Sequence, residues 1–455
     1  MTAIVTFLES LFGVVINWIN GLAGLFRVLR VVIRARLAGK EGFGARVAGE
    51  LTQPAQMREV MSFLRAFIPN IVLDRVFVKS YENNGTAVVT RRNDIIEVLN
   101  RNEDFEVVYG PRMKEITDGT NFFLGMQPGW DYTRDVSAMR LAARANDVDE
   151  IILPRARQVA EEAVASANGI IDLPQDVSLK TSSDMVGHYF GTPGPSRATM
   201  IEWTTIMFWY LFGDLGADPV VGARARSAMA GARQYLDETI AHRKATRKKG
   251  AKPQHVIDRC LDLQAVGVPG MSDEGIRNNI VGLLIGAVPT LSKASCLALQ
   301  ELMSRTNEFG SAQVAARNDD DDLLARYIWE ALRFNPHQPL LYRRAARDAT
   351  IARGTARETT IPKGRMVFAM TISGQFDLQD MRDAKQFRVN RPRDVYMTWG
   401  YGMHNCFGEA INLKVIPAIL KPILKKPGLR YAPGWSGPEN GGTPFPQHMK
   451  LTWDH

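Results

Sequence analysis

Three cysteines, Cys260, Cys296 and Cys406, stand in a chain of 455 residues. An odd count cannot close a disulfide scaffold, so their chemistry is that of a thiol or thiolate. Cys406 has the richest setting, Trp399-Gly-Tyr-Gly402-Met-His404-Asn-Cys406-Phe-Gly408-Glu-Ala. Glycines on both sides let the backbone close around the sulfur. The apolar run 411–420 continues as a helix, whose dipole and free amides stabilise a thiolate just before its N-terminus. One thiolate is too few for zinc or an iron–sulfur cluster, and no other Cys or His stands at ligand spacing to it. It suffices as the proximal ligand of haem iron. A small buried hydrophobe is the competing reading.

Three further spacings carry chemistry. Glu330-Ala-Leu-Arg333 places a carboxylate and a guanidinium at i and i+3, in reach of bidentate bonds. Trp130-Asp-Tyr-Thr-Arg134 puts two large side chains on one helical face. Ile285-Gly286-Ala287-Val288-Pro289-Thr290 sets two small residues and an alcohol inside a long apolar stretch. Spacing alone does not single out the first two, because Glu274–Arg277 and Trp329–Arg333 share it.

Taken in order, these segments resemble the cytochrome P450 family. The family's haem stretch, Phe-x-x-Gly-x-Arg-x-Cys-x-Gly, is matched at Gly402, Cys406 and Gly408, with Trp399 for Phe and His404 for Arg. Glu330 and Arg333 resemble the Glu-x-x-Arg pair. Asn335-Pro336, Leu341–Asp348, Ile361–Gly364, Phe387 and Arg391-Pro392 follow in the family's order. Trp130 and Arg134 resemble the pair that reaches a haem propionate. The resemblance covers residues 50–455 and implies a mainly α fold with small β-sheets, haem b lying between the I and L helices. It implies Cys406 as axial thiolate, and Trp130, Arg134, Arg343 (Arg344 as alternative), Trp399, Gly402, His404 and Gly408 around the cofactor. Glu330, Arg333 and Arg391 are implied as the structural lock of the thiolate loop.

The central helix departs from the family. Gly286 and Ala287 permit close approach to haem and Thr290 stands at the alcohol position, a catalytic set. Pro289 occupies the usual acid position, deleting a backbone donor and the carboxylate of a proton relay. No basic residue replaces that acid. Three function classes follow: a monooxygenase taking electrons from a separate ferredoxin, flavodoxin or reductase; a peroxide-using or hydroperoxide-rearranging enzyme; and a haem protein that only binds ligands. The aromatic run 201–212 and Phe122, Phe123 and Leu124 fall where the family lines its substrate channel, which implies a lipophilic substrate, although both also read as plain core. Lys414, Lys421, Lys425 and Lys426 trail the thiolate loop and offer a face to an acidic redox partner, or a solvated lysine surface.

Amphipathic helices are predicted over 151–168, 223–243 and 319–334, and a central buried helix over 273–300. Short strands are predicted at 86–89, 351–352, 360–361 and 367–369, with basic loops at 243–252 and 390–393. No repeat or long Ser/Gly linker divides the body, so residues 41–455 read as one haem domain. Residues 1–40 differ: 10–26 carry no charge, and Arg27, Arg30, Arg34, Arg36 and Lys40 follow. The segment reads as a marginal membrane span, an interfacial helix or a buried helix. The first two make the protein membrane-associated, and arginines after the apolar run place its body on the cytoplasmic side. Net charge is +8 with a pI near 9.3. It divides among these arginines, propionate partners and the lysine face, and calls for no nucleic acid.

Overall fold

The computed structural model describes residues 2–37, 43–51, 53–248, 250–381 and 383–454. In chain order the helices are α1 (Thr2–Leu37), α2 (Phe43–Leu51), α3 (Pro54–Phe67), α4 (Arg92–Asn100), α5 (Gly110–Thr117), α6 (Trp130–Ala142), α7 (Leu153–Ala165) and α8 (Leu179–Met185). They continue as α9 (Arg197–Phe208), α10 (Pro219–Thr246), α11 (Val256–Ala265), α12 (Asp273–Met303), α13 (Thr306–Arg317), α14 (Asp321–Phe334), α15 (Thr371–Gly374) and α16 (Glu409–Leu424). The strands are β1 (Asn70–Leu73), β2 (Thr86–Val89), β3 (Phe105–Glu106), β4 (Ile170–Asp172), β5 (Leu341–Ala345), β6 (Ala349–Ile351), β7 (Thr359–Ile361), β8 (Met366–Ala369), β9 (Arg430–Tyr431) and β10 (Lys450–Thr452). The chain divides into two compact units: Met1–Phe77, Glu82–Glu106 and Glu330–Cys406 form one, and Val78–Tyr81, Val107–Trp329 and Phe407–His455 the other.

The first unit is organised by a five-stranded sheet of order β1-β2-β8-β5-β3. β2 and β8 are parallel, Thr86 facing Met366 and Val89 facing Ala369, and the other pairs are antiparallel. Ala87, Val89, Val367 and Ala369 bury their side chains with Ile95, Val98 and Leu99 of α4, Phe105 and Met397. α1 runs against α3 at close range. A Cβ on Gly21 would fall 2.5 Å from that of Ala66, and one on Gly24 would fall 2.6 Å from the Glu59 carbonyl oxygen. Buried Asn17 donates to Asp377 Oδ1 at 3.4 Å, and Arg27 pairs with Glu59. Lys40, the last of the basic residues after the apolar run, and the boundary expected there lie outside the described residues.

In the second unit α12 is the axis. Ser272 caps it by accepting from the Gly275 N–H at 3.1 Å. Most of its side chains are buried against α8, α9, α10 and α16. β4, β10 and β9 form a separate antiparallel sheet. The predicted loop at 243–252 begins later than expected, because α10 continues to Thr246. Arg243 pairs with Asp258 at 2.7 Å and Arg247 with Asp262 at 2.6 Å, which neutralises the basic run at a helix end that favours cations.

Candidate functional site

The Cys406 loop is tied back on itself. Its N–H donates to the Trp399 carbonyl at 2.8 Å, and that of Asn405 to Gly402 at 3.0 Å. Gly402 has φ 72°, and a Cβ there would meet Asn100 Oδ1 at 2.7 Å and the Leu99 carbonyl oxygen at 3.0 Å. Only glycine suits both the backbone and the packing on α4. Gly408, at φ −88°, is an ordinary N-cap for α16. Trp399 is buried and tilted over His337 at 5.7 Å. Cys406 itself is half-buried, whereas Cys260 and Cys296 are fully enclosed. Burial pushes the Cys260 thiol up to about 12 and raises Cys296 as well. Arg343, buried on β5, donates to the Tyr342 carbonyl at 2.8 Å. Burial, then the Arg343 charge, lowers the His404 imidazole to about 3, so His404 is neutral.

Glu330 and Arg333 end α14 with no exposed surface and form a bidentate pair at 2.6 and 3.0 Å. The guanidinium also donates to the carbonyls of Gln375, Ala384 and Gln386. Glu330 accepts from Arg391 Nε at 3.1 Å, the Arg388 N–H at 3.0 Å and the Tyr396 hydroxyl at 3.1 Å. The sequence reading named Glu330, Arg333 and Arg391. It missed Tyr396, which carries no spacing signal. By contrast Glu274 and Arg277, the same spacing elsewhere, lie 3.8 Å apart, and Glu274 is half-exposed.

α12 leaves one stripe open. Leu283, Gly286, Ala287, Thr290, Lys293 and Leu297 keep exposure while their neighbours are buried. A Cβ on Gly286 would meet no atom within 4 Å, whereas one on Gly282 would strike the Phe122 ring at 2.5 Å. The helix runs unbroken through Pro289. Ser182 donates to the Val288 carbonyl at 3.1 Å and Ser178 pairs with Ser292 at 2.7 Å, clipping the segment on either side of the proline. Thr290 donates its hydroxyl to the Gly286 carbonyl. Phe122 and Phe123 are buried core, Phe123 tilted against Phe407 at 5.3 Å.

Trp130 is 69% exposed at the start of α6, and Arg134 is held by Asp135 at 2.7 Å and Asp131 at 2.9 Å. Ten residues past Trp130 on the same helix, Arg140 was missed by spacing. It donates to the Phe407 carbonyl at 3.1 Å, and its guanidinium lies 3.8 Å from the Phe407 ring centroid. The trailing lysines are not bare. Lys421 and Lys425 pair with Asp319 at 2.8 and 2.6 Å, Lys421 also with Asp321, and Lys414 lies 3.6 Å from Asp149. Lys426 covers Trp453. Lys293, one helical turn past Thr290, was also overlooked; its i+3 spacing was the available signal.

In the first unit a half-buried thiol and a buried guanidinium beside a neutral imidazole suit an anionic, iron-bearing cofactor. Residues 73–308 and 316–433 match the profile of the family described as Cytochrome P450. The chain belongs to the cytochrome P450 family, proteins that hold haem through a cysteine thiolate. Among similar proteins, Psi-producing oxygenase A of Emericella nidulans is 27% identical over 225 residues, 44% of this chain and 20% of that protein. Cyclomarin C epoxidase CymV of Salinispora arenicola is 27% identical over 281 residues, 61% of this chain and 66% of that one. The chain thus spans a fifth of the first relative and just under two thirds of the second. The solved structure of P450BioI in complex with an acyl carrier protein ligated to hexadec-9Z-enoic acid superposes with a TM-score of 0.74. It is 15% identical, over 89% of this chain and 100% of that one.

Proposed function

We propose that the protein is a haem-thiolate monooxygenase acting on a lipophilic small molecule. The observation that carries this is the loop in which Cys406, half-open, sits between a glycine-shaped turn and the N-terminus of α16. Cys406 is the axial ligand. Trp399 and Gly402 shape its side of the cofactor, Gly408 starts the helix behind it, and Arg343 with His404 donates to the propionates. Glu330, Arg333 and Arg391 hold the loop, since the two guanidiniums bond Glu330 and donate onward to the backbone of Gln375, Asp383, Ala384 and Gln386. Gly286 and Ala287 keep α12 thin on its open face. Thr290 is the alcohol that delivers protons, which requires its hydroxyl to turn from the Gly286 carbonyl. When bound, the haem supplies reductive activation of dioxygen, one atom entering the substrate and the other leaving as water. The exposed Trp130 and the acid-paired Arg134 are the weakest members of the set, and reaching a propionate would cost Arg134 its bonds to Asp131 and Asp135.

Pro289 favours a second reading. With no carboxylate at that position, a substrate that brings its own peroxide bond dispenses with both the relay and the reductase. Reduced protein with carbon monoxide is expected to give the red-shifted Soret band of thiolate-ligated haem, and Cys406→Ser to abolish it. A wild type without that band overturns both readings. Turnover with NAD(P)H and a ferredoxin pair, against turnover with hydrogen peroxide alone, then separates them.

We also place the protein on a membrane surface. Val15, Trp18, Ile19, Leu22, Phe26, Leu29, Ile33 and Leu37 are all exposed, and their spacing draws one stripe along α1. The face opposite is the one docked on α3. Arg27, Arg30 and Arg34 are exposed along one flank of the stripe and Arg36 along the other. A helix held lengthwise by Asn17, Gly21 and Gly24 suits an in-plane orientation, stripe into lipid and arginines to phosphates.

A further inference from the structure

Lys293 is a lysine of the second unit whose ammonium is disfavoured by burial. Lys244, Lys414, Lys421 and Lys425 each have a carboxylate within 4 Å, whereas no ion pair is made by Lys293 among the described residues. It lies on the open stripe of α12, one turn beyond Thr290. Its Nζ sits 5.6 Å from the centroid of the Phe445 ring. From there a wall of aromatic rings leads away. Phe445 meets Phe208 edge-on at 5.5 Å, Phe208 meets Phe212 at 4.6 Å, and Phe212 meets Tyr109 at 4.8 Å. Phe208 and Phe212 are only half-buried.

A cation partly withdrawn from water without a counter-charge is unfavourable. Burial alone, with no neighbouring carboxylate opposing it, lowers the Lys293 ammonium to about 8, so it remains mostly charged at neutral pH. Among the described residues no hydrogen-bonded carbonyl or hydroxyl accounts for it either, and a methionine or leucine would fill the same volume at less cost. The residue is explained if its counter-charge arrives with the ligand.

We propose that the substrate is an amphipathic acid, its carboxylate paired with Lys293 Nζ and its hydrocarbon part laid along the Phe445–Phe208–Phe212 wall. This rests on reading the open face of α12 as the substrate side of the haem site, and it narrows the substrate from lipophilic to lipophilic and anionic. An ammonium–carboxylate contact excluded from water discriminates against an alcohol of equal length by about tenfold or more.

The test uses the full-length haem-loaded protein titrated with dodecanoic acid and with dodecan-1-ol, followed by the Soret shift and by calorimetry. The acid is expected to bind at least about tenfold more tightly than the alcohol. Lys293→Met is expected to erase that preference while leaving alcohol affinity within about twofold, and Lys293→Arg to keep most of it. Equal affinities in the wild type, or a preference that survives Lys293→Met, overturn the proposal. If Lys293→Met does not fold, the wild-type comparison together with Lys293→Gln decides. The carbon monoxide spectrum, recorded on the same samples, keeps the two readings apart. A normal thiolate band without acid preference rejects only this proposal, whereas loss of that band in the wild type rejects the haem site beneath it.

Discussion

Gly282 and Gly286 lie one turn apart on α12 and are small for different reasons. At Gly282 a methyl group would strike the Phe122 ring, which is itself buried; at Gly286 it would meet nothing. Gly282→Ala is therefore expected to destabilise the fold by about 1–3 kcal/mol through overpacking. Gly286→Ala is expected to be neutral or to gain about 0.5–1 kcal/mol, because alanine is the better helix former. Urea unfolding of both variants checks this, and a Gly286→Ala loss as large as that of Gly282→Ala would refute the open face. The sequence marked Gly286 through its place in a resemblance and passed over Gly282. Glycine's residue type does not say whether space is filled by a neighbouring ring or left open. Cys406 was legible because its flanking residues constrain the backbone locally. Tyr396 was not, because its hydroxyl meets Glu330 from 66 positions away.

At the scale of elements, α6 is positioned by its last turns rather than its first. Trp130 stands exposed at the N-terminus, while Arg140 near the C-terminus clasps the residue that follows Cys406. Arg140 is solvent-exposed and has no carboxylate partner among the described residues, whereas Lys421 and Lys425 are committed to Asp319 and Asp321. An acidic electron donor would then feel Arg140 more than the lysines. Arg140→Glu is expected to slow reduction by a ferredoxin or flavodoxin about tenfold at low salt, with the difference shrinking as salt rises. Lys421→Gln is expected to leave the rate nearly unchanged. Stopped-flow reduction measures both, and the reverse order would restore the lysine face as the docking surface. Periodicity found α7, α10 and α14 because each buries a regular stripe, and apolar length found α12 because most of it is buried. Its error came at the end of α10, where Asp258 and Asp262, from a later helix, hold the basic run in helical form. Partners distant in sequence are what a local pattern cannot supply.

For the whole molecule, the proposed membrane placement turns on α1. Apolar length alone does not say which side of the helix is covered. Among the described residues, α3 covers one face and eight large apolar side chains stand exposed on the other. Full-length protein is expected to float with vesicles containing anionic phosphatidylglycerol and to be released by high salt together with Phe26→Glu. Far-UV circular dichroism of that variant should be unchanged. Retention after high salt and alkaline carbonate, with release only by detergent, would instead show a spanning helix. The three cysteines of this chain have a practical consequence of their own. Two are sealed, with thiols held too basic to react near neutral pH, and the third is half-open at the site proposed for the iron. An alkylating reagent applied to the native protein therefore reads a single sulfur. With Cys406 as the proposed iron ligand, the labelled fraction would count the molecules whose iron is missing, giving the chain an internal gauge of its own maturation.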